Sequence, residues 1–187
     1  MNLVWYSPIV QKYCWNSENF LKAAYLPFLE QEIEEQNFHP ITPTSLRGFR
    51  SDVTVSNKKG IYLIYKKTNQ SVLLYVGCAT SCIYGRITRF IAQVNGTIRE
   101  DENHPAAKKY VNIFGNDLND LYFKYILIED SNLLEGTFHH TVFDLENLLI
   151  KKYEPLFNTE TFYKYAFVKQ DVPKEIIKIG NVEIHKR

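Results

Sequence analysis

The sequence predicts one α/β domain preceded by a helical arm. Three observations carry this. Short β-rich runs (residues 60–67, 72–77 and 121–129) alternate with stretches of helical periodicity. The chain has 187 residues, 45% of them apolar, enough to bury one core without staples. No internal repeat or low-complexity linker divides it. That apolar content excludes disorder, and 7 prolines and 8 glycines spread along the chain exclude a coiled coil.

The elements follow in order. Residues 17–35 read as a helix starting at Ser17, with Phe20, Leu21, Ala24, Tyr25, Phe28, Leu29 and Ile33 on one face and Pro27 expected to kink or split it. Residues 37–58 carry Pro40, Pro43 and Gly48 and read as an irregular arm. GIYLIYKK (60–67) and VLLYVG (72–77) form a hairpin around Thr68-Asn69-Gln70, and Ser81 is placed to cap a helix with the stripe Ile83, Ile87, Phe90, Ile91 and Val94. Pro105 and Gly115 bracket a short helix over 105–114. A third strand covers 121–129, a helix covers 138–153 and stops before Pro155, and EIIKI-GN-VEI (175–184) reads as a terminal hairpin.

Net charge is +1, but the charge is segregated. Residues 1–45 carry −3 and residues 100–187 carry −4. Between them, Arg47, Arg50, Lys58, Lys59, Lys66, Lys67, Arg86, Arg89 and Arg99 face Asp52 alone, a local +8 suited to a polyanion. Cys14, Cys78 and Cys82 form no CxxC pair and fit a reducing cytoplasm. The longest mainly apolar run, Val72–Ala79, is too short for a membrane span, and the N-terminus lacks the pattern of a signal peptide.

Two inward-pointing charges stand out. Glu146 lies within the apolar face of helix 138–153, one turn from Val142, Leu149 and Ile150. A carboxylate there requires a cation, either in a buried Glu–Arg pair or as a functional site. Arg86 lies on the apolar side of its helix, one turn from Cys82 and Phe90, where it either recognises phosphate or carboxylate or snorkels to the surface. Tyr62 and Tyr75 lie on paired strands, and Gly60 and Gly77 bracket the hairpin. The five histidines have no zinc-ligand spacing, and no GxSxG, Walker or dinucleotide motif is present.

Gly60-Ile61-Tyr62 followed after twelve residues by Tyr75-Val76-Gly77, then Arg86 in YVGCATSCIYGRITRF, then Glu146 and Asn158 twelve apart in ENLLIKKYEPLFN, resembles the signature of the GIY-YIG nuclease superfamily over about residues 58–160. The resemblance implies a small three-stranded antiparallel sheet flanked by helices, here with an N-terminal helical arm (1–57), a nuclease core (58–160) and a C-terminal hairpin (161–187). It implies metal-dependent hydrolysis of DNA phosphodiesters. Glu146 would hold one divalent cation, Mg²⁺ or Mn²⁺. Arg86 would stabilise charge on the scissile phosphate. Tyr62 would activate or orient water with help from Tyr75. Asn158 would brace the loop after the glutamate helix.

One position departs from the pattern. Many members carry His or Tyr four residues after the helix arginine, whereas here it is Phe90, which moves the base role to Tyr62 or to a residue such as His104 or Tyr84. Only 29 residues follow Asn158, too few for a second domain with its own core. That layout resembles the compact GIY-YIG type II restriction endonucleases and implies a homodimer on double-stranded DNA. The alternatives are a phage or mobile-element nuclease of loose or structure-specific cleavage, and a non-catalytic DNA-binding module. The DNA-contact candidates are Arg47, Arg50, Lys58, Lys59, Lys66, Lys67 and Arg89, although strand alternation lets only one of Lys66 and Lys67 face the site.

Overall fold

The computed structural model describes residues 18–52, 57–97, 104–128, 138–158, 175–179 and 182–186. In chain order the elements are α1 (Glu18–Glu35), β1 (His39–Pro40), α2 (Pro43–Ser51), β2 (Gly60–Lys67), β3 (Ser71–Ala79), α3 (Ile83–Val94), α4 (Pro105–Phe114), β4 (Leu121–Leu127), α5 (Phe138–Tyr153), β5 (Glu175–Ile179) and β6 (Val182–Lys186).

The main sheet is antiparallel with strand order β1-β4-β2-β3. It therefore has four strands among the described residues, which corrects the expected three-stranded arrangement. The extra strand comes from the arm. His39 pairs with Phe123 and Pro40 with Tyr122, and the Ile41 amide continues the ladder to the Leu121 carbonyl at 2.8 Å. A proline tolerates this position because an edge strand leaves one side of its backbone unpaired.

Both faces of the sheet are covered, which explains why β2 reads as a nearly unbroken apolar run. Tyr62 and Ile64 project to one face, where they pack with Ile83, Ile87, Phe90 and Val94 of α3 and Ala106, Ala107 and Tyr110 of α4. Ile61 and Leu63 project to the other, against Leu26, Leu29 and Ile33 of α1 and Val142, Leu145 and Leu149 of α5. An irregularity in the β2–β3 register lets the neighbours Leu74 and Tyr75 both enter the first cluster.

Several local details differ from the sequence expectations. Residues 39–51 of the arm are not irregular: Thr42 caps α2 by accepting from the Ser45 amide at 3.2 Å, and Pro43 takes a first-turn position where no amide is needed. α1 runs through Pro27 without interruption. The cap of α3 is Cys82, whose Sγ accepts from the Gly85 amide at 3.3 Å, rather than Ser81. Gly115, at φ 68°, ends α4 as expected. The C-terminal hairpin forms its own two-stranded sheet, pairing Ile177 with Ile184; its turn, residues 180–181, lies outside the described residues, as does Ser17.

Candidate functional site

The site is built at the Gly77–Cys78 end of edge strand β3. Tyr62 lies directly across the ladder from Gly77, and the ring centroids of Tyr62 and Tyr75 are 6.0 Å apart. Glycine is required at 77 because a Cβ there would stand 2.5 Å from both Tyr62 Oη and Tyr75 Cε1. Gly60 is required for a different close approach, since its Cβ would collide with the Ile126 carbonyl on β4.

Arg86 reaches this cluster from α3, on the same face as the two tyrosines. Burial works against its charge, but the Tyr62 and Tyr75 phenols more than offset this and its pKa is raised. Its Nε is buried and has no hydrogen-bond partner among the described residues. Burial raises both phenols well above the ordinary tyrosine value, with Arg86 pulling in the opposite direction. At neutral pH both tyrosines are neutral donors.

Glu146 arrives from α5 on the other face, next to Cys78. Burial raises its carboxyl above the ordinary range, while the Cys78 donor and the Arg86 charge pull it down. The Cys78 thiol is itself pushed up, by burial first and then by the Glu146 charge. The expectation of a cation meeting Glu146 is fulfilled only at longer range: among the described residues Glu146 makes no ion pair, and a thiol is its immediate partner. The constellation therefore spans both faces of the sheet.

Asn158 does not enter the cluster. It is buried, its Oδ1 accepting from the Val76 amide at 2.8 Å and its Nδ2 donating to the Val76 carbonyl at 2.7 Å. With the Phe157 amide bonded to the Leu74 carbonyl at 2.8 Å, residues 156–158 close the outer edge of β3. Its role is to hold the strand that carries Tyr75 and Gly77.

His104 is the residue that takes the place beside Phe90. It sits at the N-cap of α4, 1% exposed, with Nε2 2.8 Å from Tyr62 Oη. Its ring meets Phe90 edge-on at 5.3 Å and Tyr75 at 5.2 Å. Burial, with Arg86 and Arg89 nearby, lowers its pKa to about 3. Tyr84, the other residue considered for the base role, belongs elsewhere: its ring lies 6.3 Å from Phe49, with the Arg50 guanidinium 6.0 Å away.

The basic residues fall into two groups. Arg47, Arg50, Lys58 and Arg89 are exposed and Lys59 is half-buried. Lys66 is only 8% exposed, donates to the Asn119 carbonyl at 2.9 Å and lies over the Tyr110 and Phe114 rings. It shares a face with Tyr62, but four residues along the strand places it roughly 13 Å away. Lys67 sits 3.8 Å over the Phe38 ring. Sequence reading missed Lys124, a buried lysine that donates to the Ile33 carbonyl in the last turn of α1 at 2.7 Å, and the Cys78–Glu146 contact. Neither carries a local sequence signal, because each joins segments far apart in the chain.

Among the described residues no group of three His, Cys, Asp or Glu side chains converges as a metal site, and no helix is long and apolar enough to cross a membrane. A carboxylate that makes no ion pair among the described residues, within electrostatic reach of the Arg86 guanidinium, nevertheless fits a hard divalent ion completed by water and phosphate oxygens. Comparisons with protein-family models, with curated proteins and with solved structures gave no match.

Proposed function

We propose that the chain is a divalent-metal-dependent DNA endonuclease of the GIY-YIG type, acting on double-stranded DNA as a sequence-specific restriction enzyme. The observation that carries this reading is the convergence of Tyr62, Tyr75, Arg86 and Glu146, residues 84 positions apart at their extremes, at one end of β3. No hydrophobic-core explanation accounts for a half-buried carboxylate and a half-buried guanidinium that form no ion pair with each other.

The chain's own groups have distinct tasks. Arg86, held beside the two phenols, meets the scissile phosphate with its guanidinium charge. Tyr62, a neutral phenol, holds and orients the attacking water at Oη, and Tyr75 packs beside it. Glu146 is the protein ligand for Mg²⁺ or Mn²⁺, which when bound supplies charge neutralisation at the phosphate. The arm contributes DNA contacts: α2 carries Arg47 and Arg50, and Phe49 and Arg50 lie beside Tyr84 of α3, the helix that also bears Arg86. Contacts made there are in fixed register with the reacting phosphate. A palindromic site cut on both strands calls for a two-fold homodimer.

The test is digestion of supercoiled plasmid with Mg²⁺ or Mn²⁺. Discrete fragments are expected. A smear would replace sequence specificity with loose cleavage, and intact DNA of every form tried, plasmid and branched, despite retained binding would overturn the enzyme reading.

A further inference from the structure

We propose that His104 is a positioning residue for Tyr62, present as the neutral tautomer protonated on Nε2, so that it donates a hydrogen bond to the phenol oxygen instead of accepting the phenol's proton. The inference rests on the role given above to Tyr62, but its central test does not require nuclease activity.

The hydrogen-bond geometry alone permits either direction, since Nε2 and Oη are 2.8 Å apart and each can donate or accept. The other ring nitrogen decides. Nδ1 is fully buried and has no partner among the described residues. If Nε2 accepted from Tyr62, Nδ1 would carry a buried N–H with nothing to bond, the rarest and among the costliest kinds of orphan in folded proteins. If Nε2 donates, Nδ1 is a bare acceptor, an easier deficit to tolerate.

The surroundings agree. Arg86 and Arg89 of α3 both act on the ring, and it lies within Phe90 and Tyr75 at van der Waals range. A further positive charge there is strongly opposed, so the imidazole is a poor destination for a proton leaving Tyr62. Its backbone is held as well, because the His104 amide donates to Gln93 Oε1 on α3. With His104 donating to Oη and Arg86 beside it, the Tyr62 oxygen is surrounded by positive potential and its own O–H is left to donate to the water it must orient. A histidine from a distant helix cap thereby supplies, in a different way, what Phe90 cannot.

The decisive measurement is the ¹⁵N spectrum of ring-labelled histidine in the DNA-free protein, with His104 assigned by the signal lost in His104→Gln. The expected result is a protonated Nε2 and a bare Nδ1, unchanged from neutral pH down to about pH 5. A protonated Nδ1 with bare Nε2, or an imidazolium near neutral pH, would overturn the proposal whether or not the protein cuts DNA. Cleavage supplies the second arm. His104→Gln keeps an N–H donor and should stay within several-fold of the parent kcat, whereas His104→Leu fills the space without a donor and should lose about a hundredfold. DNA affinity should be equal in the two variants. Equal loss of kcat in both would reduce His104 to a packing residue.

Discussion

Asn158 satisfies both backbone polar groups of Val76, accepting from its amide at 2.8 Å and donating to its carbonyl at 2.7 Å. Edge strand β3 would otherwise present these groups unpaired at the point where it passes from Tyr75 to Gly77. Asn158→Ala should therefore lower stability by about 2–4 kcal/mol, because two buried groups lose their partners at once. Asn158→Asp should be no better, since a carboxylate facing the Val76 carbonyl repels it. Urea midpoints measure the loss. Activity should fall in parallel with folded fraction, and a variant that keeps full stability yet loses all cleavage would show that Asn158 reacts rather than braces.

Gly77 and Gly48 should respond to alanine in opposite directions. At Gly77 the added methyl meets the Tyr62 and Tyr75 rings, so one of them must move; a cost of about 1–3 kcal/mol and displacement of Tyr62 from His104 are expected. At Gly48, inside α2, nothing lies within 4 Å of the new methyl. There alanine should stabilise by about 0.5–1 kcal/mol through helix propensity alone. Thermal unfolding of the two variants checks both signs.

The elements built on local pattern were legible in the sequence. β-rich runs flanking a polar turn marked β2 and β3, apolar stripes marked α3 and α5, and Pro105 with Gly115 bracketed α4. The arm was not, because Pro40, Pro43 and Gly48 look like breakers until their positions are known: an edge strand, a capped first turn and an exposed helix interior tolerate each of them. Within the site, the face occupied by Glu146 was readable from helix spacing. Its thiol partner was not, and neither was the contact between Tyr62 and His104, 42 residues apart. Pairings of that kind depend on how helices dock on the sheet, and no periodicity encodes them.

The basic residues of the +8 segment should separate in a salt titration of DNA binding. Arg47 is exposed, and Arg47→Ala should reduce the slope of log K against log salt by about 0.9 while changing stability by less than about 0.5 kcal/mol. Lys66 has its ammonium committed to the Asn119 carbonyl. Lys66→Ala should leave the slope unchanged and cost about 1–3 kcal/mol of stability. A reduced slope in Lys66→Ala would return that residue to the DNA interface.

Stability should fall in acid partly through His104. Its native pKa is lowered to about 3 from the ordinary 6.5, so between these values the unfolded chain binds a proton that the native protein does not. Its contribution is intact above pH 6.5 and is lost as pH falls toward 3, at up to about 1.4 kcal/mol per pH unit. Glu146 acts with the opposite sign: its raised carboxyl favours the native state at low pH, and that contribution fades as pH rises through the native value. Urea midpoints measured from pH 7 to pH 4 should show a shallower acid slope in His104→Gln than in the parent protein. Identical slopes would mean that the histidine protonates freely in the folded state.

Glu146 is the residue at which stability and function should pull apart. Its carboxyl is disfavoured by burial, has a thiol as its nearest partner and makes no ion pair among the described residues. Glu146→Gln removes the charge, keeps the shape and can still bond to Cys78, so the metal-free variant should be as stable as the parent or more stable by about 0.5–2 kcal/mol. A cation that binds the folded parent protein adds stability in proportion to the logarithm of its concentration over its dissociation constant. Mg²⁺ or Mn²⁺ should accordingly raise the Tm of the parent and leave that of Glu146→Gln unmoved, with cleavage lost and DNA binding retained. If the ion raised both Tm values equally, its site would lie away from Glu146; if Glu146→Gln unfolded the protein, the carboxylate would be part of the core's support after all. The two measurements separate these cases because the first needs no DNA and the second needs no metal.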